Sequence, residues 1–224
     1  MTNYFEPQYH ILDEAMESKG LAKFGPMSSF TWNTDPKRLL FVLSRYKFAA
    51  RMLEGAKNVI EIGCGDGFGL RIVKQHVGRL LATDADPIMI KNATSLQSSD
   101  FPVSLLCIDF CKAPLEDKTL IFDGAYMLDV LEHIPQSFEK QFFANLRQCL
   151  APKAKVIIGI PSLESQAYAS PGSIAGHVNC KTKEELQASL SKEFSNVFCL
   201  SMNDEVVHTG FNRMSNYLFA VCSL

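Results

Sequence analysis

Val59-Ile60-Glu61-Ile62-Gly63-Cys64-Gly65-Asp66-Gly67-Phe68-Gly69 decides the fold. A short β-branched run carries an acid and then opens into four glycines within seven residues. Glycine has no Cβ and tolerates positive φ, so backbone there approaches a ligand closely. The residues that follow, Leu70-Arg71-Ile72-Val73-Lys74-Gln75-His76, read as a helix. Strand, glycine loop and helix in this order mark where an α/β sheet seats a nucleotide-like cofactor. The dinucleotide fingerprint is G-x-G-x-x-G, and in that frame Phe68 stands where the last glycine belongs. The spacing here is G-x-G-x-G. No Gly-Lys-Ser/Thr follows, so the turn is not a P-loop either.

Outward from that loop, strand and helix patterns alternate. Strands are expected at 59–62, 79–84, 103–107, 122–128, 155–161, 194–202 and 217–222. Helices are expected at 37–54, 68–76, 87–96, 137–150 and 183–191. Asp35-Pro36 supplies a capping acid and then a proline for the first of these helices. Alternation of this kind argues for βαβ units and a mainly parallel sheet. Residues 1 to about 35 read as irregular, broken by Gly20, Gly25, Pro26 and Pro36. The polar stretch 162–181 is long for a plain connection, which favours a functional loop.

Length and composition bound the rest. With 224 residues and 47% hydrophobic content, the chain suits one sizeable domain. It divides into an N-terminal extension, 1–54, and the main body, 55–224, of that same domain. The net charge of -2, without a basic run, argues against nucleic acid as a partner. No apolar stretch approaches the roughly 20 residues that span a bilayer, so no membrane partner is expected. Met1 to Pro7 lack the features of a signal peptide. The seven cysteines contain no Cys-x-x-Cys, which reads as reduced thiols in a cytoplasmic protein and gives no zinc spacing.

Further along, Asp84 lies 23 residues after Glu61, at the end of the second strand. An acid at this separation from a glycine loop accepts hydrogen bonds from ribose hydroxyls. It also reads as part of a helix start in Asp84-Ala85-Asp86-Pro87, where Asp86 is the better cap. Cys107-Ile108-Asp109-Phe110 closes the third strand, and Phe122 to Pro135 runs F-D-G-A-Y-M-L-D-V-L-E-H-I-P.

These blocks carry a resemblance. Glu61-x-Gly63-x-Gly65-x-Gly67 resembles motif I of the class I S-adenosylmethionine (SAM)-dependent methyltransferases. The D-V-L-E-H-I stretch resembles motif IV of their small-molecule members, including the ubiquinone-pathway O-methyltransferases. The blocks cover residues 59 to about 160. The resemblance implies a Rossmann-like fold with a seven-stranded, mostly parallel sheet and a reversed last strand. Helices would cover both faces, with an N-terminal helical lid. It implies SAM as cofactor. Glu61, Gly63, Cys64, Gly65 and Gly67 would hold the amino-acid end, Asp84 and Ala85 the ribose, Asp109 and Phe110 the adenine. Leu128 would face the sulfonium.

The same resemblance implies methyl transfer to a small-molecule acceptor, at a hydroxyl oxygen, with an amine or a protein acceptor as the rival. A SAM-binding scaffold without turnover is a rival of a different class. Nucleic-acid methylation is disfavoured, because Leu128-Asp129-Val130-Leu131 stands where an N-P-P-Y-type tetrapeptide would. His177, before the Thr182-x-x-Glu185 capping box, reads either as a general base or as a loop-stabilising residue. Asp129, Glu132 and His133 share one helical face, with Asp129 and His133 as further catalytic candidates. A divalent metal on this trio is possible in principle but not favoured. Trp32, Met27 and Tyr168 are expected to shape the acceptor pocket. The resemblance implies no particular oligomeric state.

Overall fold

The computed structural model describes residues 5–224. The first four residues, part of the signal-peptide reading and of the 1–54 extension, lie outside the described residues. Eight strands form one sheet in the order β3-β2-β1-β4-β5-β8-β6-β7. They are β1 (Asn58–Ile62), β2 (Arg79–Asp84), β3 (Ser104–Cys107), β4 (Phe122–Leu128), β5 (Leu150–Pro161), β6 (Asn196–Asn203), β7 (Val206–His208) and β8 (Tyr217–Ser223). The first five pair in parallel, whereas β8 runs antiparallel to both β5 and β6. Chain order reverses direction between β1 and β4, and that switch point opens a crevice at the strand carboxyl ends.

Period-two alternation sends neighbouring side chains of a strand into different halves of the core. Ile60 packs with Phe143, Leu146 and Leu186 on one face; Val59 packs with Ala49, Leu53 and Val73 on the other. Helix α6 (Gln136–Arg147) and α8 (Lys183–Leu190) cover the first face, and α3 (Lys37–Met52) and α4 (Leu70–Lys74) the second. The Thr182–Glu185 capping box starts α8: the Thr182 hydroxyl accepts from the Glu185 amide at 3.2 Å, and the Glu185 carboxylate accepts from the Thr182 amide at 2.9 Å. Helix α5 (Pro87–Ser95) follows β2, with Asp86 accepting from the Ile88 amide at 2.7 Å.

The structure corrects the sequence reading in three places. The sheet has eight strands, not seven. The added β7 folds back on β6 across Asp204-Glu205, with Asp204 at φ 50° making the tight two-residue turn. Residues 7–34 are not irregular: α1 (His10–Lys19) and α2 (Pro26–Thr34) lie there. The breakers bound these helices and do not interrupt them. Gly20, at φ 68°, ends α1, and Pro26 occupies the first position of α2. The 162–181 stretch holds a 3-10 turn at Glu164–Tyr168 and a short helix, α7 (Pro171–Gly176), capped by Ser170. Among the described residues, no helix is long and apolar enough to cross a membrane.

Candidate active site

A cavity of about 450 Å³ opens at the switch point, between the ends of β1, β2 and β4. The glycine loop forms one wall. Gly63 sits at φ 76°, and a Cβ there would lie 2.3 Å from Cγ2 of Val130, so the loop and the segment after β4 touch only because the side chain is missing. The Gly63 and Cys64 amides donate to the Thr83 carbonyl at 2.8 and 2.9 Å, which fastens the loop to β2.

Beneath the loop, Glu61 is fully buried and accepts hydrogen bonds from the Tyr46 hydroxyl at 3.0 Å and the Tyr126 hydroxyl at 2.7 Å. Burial pushes its carboxyl up to about 7, against the opposing effect of the two tyrosine bonds. Glu61 therefore supports the loop from below and does not line the cavity. Cys64 and Leu128 are also buried beside the loop and outside the lining, and Gly67 faces away, toward Ala93 and Leu70.

Asp84 does line the cavity. One carboxylate oxygen accepts from the Gly65 amide at 2.9 Å and the other from the Asp86 amide at 2.9 Å. Both bonds come from backbone, so the carboxylate is oriented before any ligand arrives. Ala85, Asp109 and Phe110 line the same cavity. Burial works against ionisation of Asp109, but bonds from Lys112 at 3.0 Å and the Cys111 amide at 2.9 Å outweigh it and hold its carboxyl below the ordinary range.

The opposite end of the cavity is built by the segment after β4. Asp129 takes a left-handed backbone at φ 59° and lines the cavity together with Val130 and His133. Arg45, on α3, donates to both of its carboxylate oxygens and rests over the Tyr217 ring, 3.9 Å from the centroid. The 3-10 turn Leu131–His133 follows. Its Glu132 carbonyl accepts from the Val178 and Asn179 amides, which brings the 162–181 loop against the turn. A buried network fixes that arrangement: Lys181 and Asn179 both donate to Oε1 of Glu139, and Asn179 also donates to the Ile134 carbonyl.

His133 and His177 meet there, with ring centroids 5.1 Å apart. Nδ1 of His133 donates to the Gly176 carbonyl at 2.9 Å, and Nδ1 of His177 to the Gln166 amide oxygen at 2.8 Å. With Nδ1 engaged in each ring, Nε2 is the ring nitrogen left for another partner. Burial, with the neighbouring His133, holds His177 below its ordinary value, so it is neutral at physiological pH. His177 itself stands behind His133 and outside the cavity lining. Glu132 is 1% exposed, its Oε2 has no partner, and burial with the nearby Asp129 charge raises its pKa well above the usual range. Glu132, His133 and His177 offer ligand atoms that lie within 4.8 Å of one another.

Of the expected pocket residues, only Met27 lines the cavity. Trp32 is 54% exposed and packs edge-on against Phe24, on the outer side of α2. Tyr168 is 91% exposed at the end of its 3-10 turn and is not part of the cavity lining. Sequence reasoning gave Ser28, Asp66 and Tyr126 no part in the site. Tyr126 lies on a buried strand whose run reads as core, and Asp66 occupies a position that the glycine pattern leaves open.

The fold is that of the class I methyltransferases, and the cavity lies at the switch point where an α/β sheet of this kind seats its cofactor. Residues 60–158 match the family described as "Methyltransferase domain". A curated relative is the mitochondrial ubiquinone biosynthesis O-methyltransferase of Schizosaccharomyces pombe, 25% identical over 165 residues. The match takes in 69% of this chain and 59% of that protein. The methyltransferase domain of a bacterial Hen1 superposes with a TM-score of 0.67 at 20% identity, over 82% of this chain and 98% of that one. A complex of DhpI with S-adenosylhomocysteine (SAH) gives 0.62 at 16% identity, over 87% and 90%. The plantazolicin methyltransferase BpumL, in complex with a monoazolic desmethylPZN analogue and SAH, gives 0.64 at 15%, over 96% and 92%. At these identities the structural likeness speaks for the fold.

Proposed function

We propose that the chain transfers the methyl group of SAM to a hydroxyl oxygen of a small, uncharged acceptor. The observation that carries this reading is the corner formed by Asp129, His133 and His177. There two imidazoles, each held by Nδ1, keep Nε2 free beside the end of β4. When bound, SAM supplies an electrophilic methyl on a positively charged sulfonium. Asp84 would hold the ribose hydroxyls, Asp109 the adenine amine, and the glycine-loop amides the amino-acid end. The acceptor oxygen would take the methyl as the C–S electron pair returns to sulfur, and its proton would pass to His133, the imidazole of the two that lines the cavity. Alignment in a pocket that excludes water supplies much of the acceleration, and the base adds to it for a hydroxyl.

Charge supports an uncharged acceptor. Asp84, Asp109 and Asp129 line the cavity, no lysine or arginine does, and Arg45 is engaged with Asp129. An anionic acceptor would find no lysine or arginine in the lining to receive it. The S. pombe relative is named an O-methyltransferase, which supports oxygen as the acceptor atom. The cysteines are free, which supports a reducing, cytoplasmic compartment. Turnover against a panel of hydroxyl and amine metabolites tests the reading. SAM binding with no acceptor methylated favours the scaffold instead.

One observation favours a second reading of the same corner. Glu132, whose Oε2 is unpaired, stands with His133 and His177 in a mixed carboxylate and imidazole set that suits a divalent transition metal. A cation there would orient a hydroxyl and lower its pKa. Methyl transfer by the imidazole pair does not require it. Activity retained after exhaustive chelation sets this second reading aside, and activity lost and restored by added cation establishes it.

A further inference from the structure

Helix α2 begins without a cap of its own. Its N-cap residue, Gly25, has no side chain to accept from the first-turn amides, and such amides need a partner when they are buried. The partner comes from the glycine loop. Asp66, 4% exposed, accepts from the Ser28 amide at 2.8 Å through Oδ2 and from the Ser28 hydroxyl at 3.1 Å through Oδ1. Ser28 is the buried residue of α2. Gly25 is glycine for a physical reason: a Cβ there would lie 2.4 Å from the Asp66 side chain.

The contacts on either side follow from that one bond pair. Met27 is set over Gly65, with Sδ 3.1 Å from the place where a Cβ would stand, and it lines the cavity. Phe24 meets Phe68 edge to face at 5.2 Å. The amide of this same Gly65 donates to Asp84. Roof, cofactor loop and the candidate ribose carboxylate therefore form one connected unit, with Asp66 at its joint.

We propose that Asp66 is a positioning residue that caps the roof helix α2 from within the cofactor loop, and that breaking the Asp66–Ser28 contact lets SAM enter and SAH leave. Asp66 touches neither cofactor nor acceptor; it acts through Ser28 and Met27. The residue is placed so that the loop must hold its shape for the roof to close, and a closed roof in turn protects the loop. The inference concerns the cofactor alone and stands whether or not the acceptor is a hydroxyl.

The test compares Asp66→Ala, Asp66→Asn and Ser28→Ala in the full chain. It measures SAH release by stopped-flow displacement, limited proteolysis of residues 20–36 with SAH bound, and thermal unfolding. Loss of a cap is expected to speed SAH release about tenfold in Asp66→Ala and to expose the roof to protease. Asparagine caps about as well as aspartate, so Asp66→Asn should restore slow release. Ser28→Ala keeps the amide bond and should speed release about threefold, a readout that survives if Asp66→Ala does not fold. The proposal is overturned if release and proteolysis stay unchanged while only thermal stability falls, or if asparagine releases SAH as fast as alanine.

Discussion

Nη1 of Arg45 lies 2.9 and 2.8 Å from the two carboxylate oxygens of Asp129, so one guanidinium nitrogen holds both. This joins α3 to the end of β4 at the cavity wall. The Tyr217 ring beneath the guanidinium fixes its plane, and Asp129 keeps a left-handed backbone that few side chains adopt. Arg45→Met leaves Asp129 unpaired beside Glu132. Turnover is expected to fall by about one to two orders of magnitude, with global stability changing little because the pair is partly solvated. Steady-state kinetics beside a melting curve separates the two effects.

Asp84 is oriented by two backbone amides and faces the cavity. Hydrogen bonds to a charged group each contribute roughly 1.5–3 kcal/mol. Asp84→Ala is therefore expected to weaken SAM binding by about a hundredfold in titration calorimetry. Unchanged affinity would remove the ribose assignment.

Glu61 gives the fold a pH dependence of defined sign. Its carboxyl is raised from 4.5 to about 7, chiefly by burial. Below 4.5 both folded and unfolded states hold the proton, and the stabilising bias is complete. As pH rises through about 7 that bias is lost, at a cost of roughly 3 kcal/mol at most. Glu61→Gln stays neutral throughout. Its melting temperature relative to the wild type is expected to climb between pH 5 and pH 8, by several degrees. Parallel curves in that window would show that Glu61 is already ionised in the folded protein.

Lys181, 4% exposed, neutralises Glu139 and so holds the loop that carries His177 against the Leu131–His133 turn. Lys181→Met strands a buried carboxylate, and breaking such a pair costs about 3–5 kcal/mol. A large drop in denaturant midpoint is expected, with activity lost at temperatures where the fold persists.

Much of this was legible in the residues. The glycine spacing, Asp84, Asp109 and the strand closing at Leu128 all lie on local patterns that period and turn chemistry expose. What escaped was non-local. Asp66 caps a helix 38 residues earlier in sequence, a partnership no local window contains. Arg45 and Asp129 are separated by 84 positions, and only the sheet topology brings them together. The helices at His10–Lys19 and Pro26–Thr34 were hidden because their glycines and prolines lie at the boundaries, where they read as breakers of the whole stretch. Trp32 looked like a pocket residue by type, yet α2 turns Met27 inward instead.

The central claim is methyl transfer to an uncharged hydroxyl, assisted by the His133–His177 pair. Its most direct test is transfer of labelled methyl from SAM to a panel of neutral hydroxyl, amine and anionic metabolites. The panel is run with the wild type and with the double variant His133→Ala, His177→Ala. The account expects label on the oxygen of a neutral acceptor, reduced about 10²–10⁴-fold in the double variant while SAH affinity is held. Label carried only by anionic acceptors, or undiminished transfer by the double variant, would contradict it.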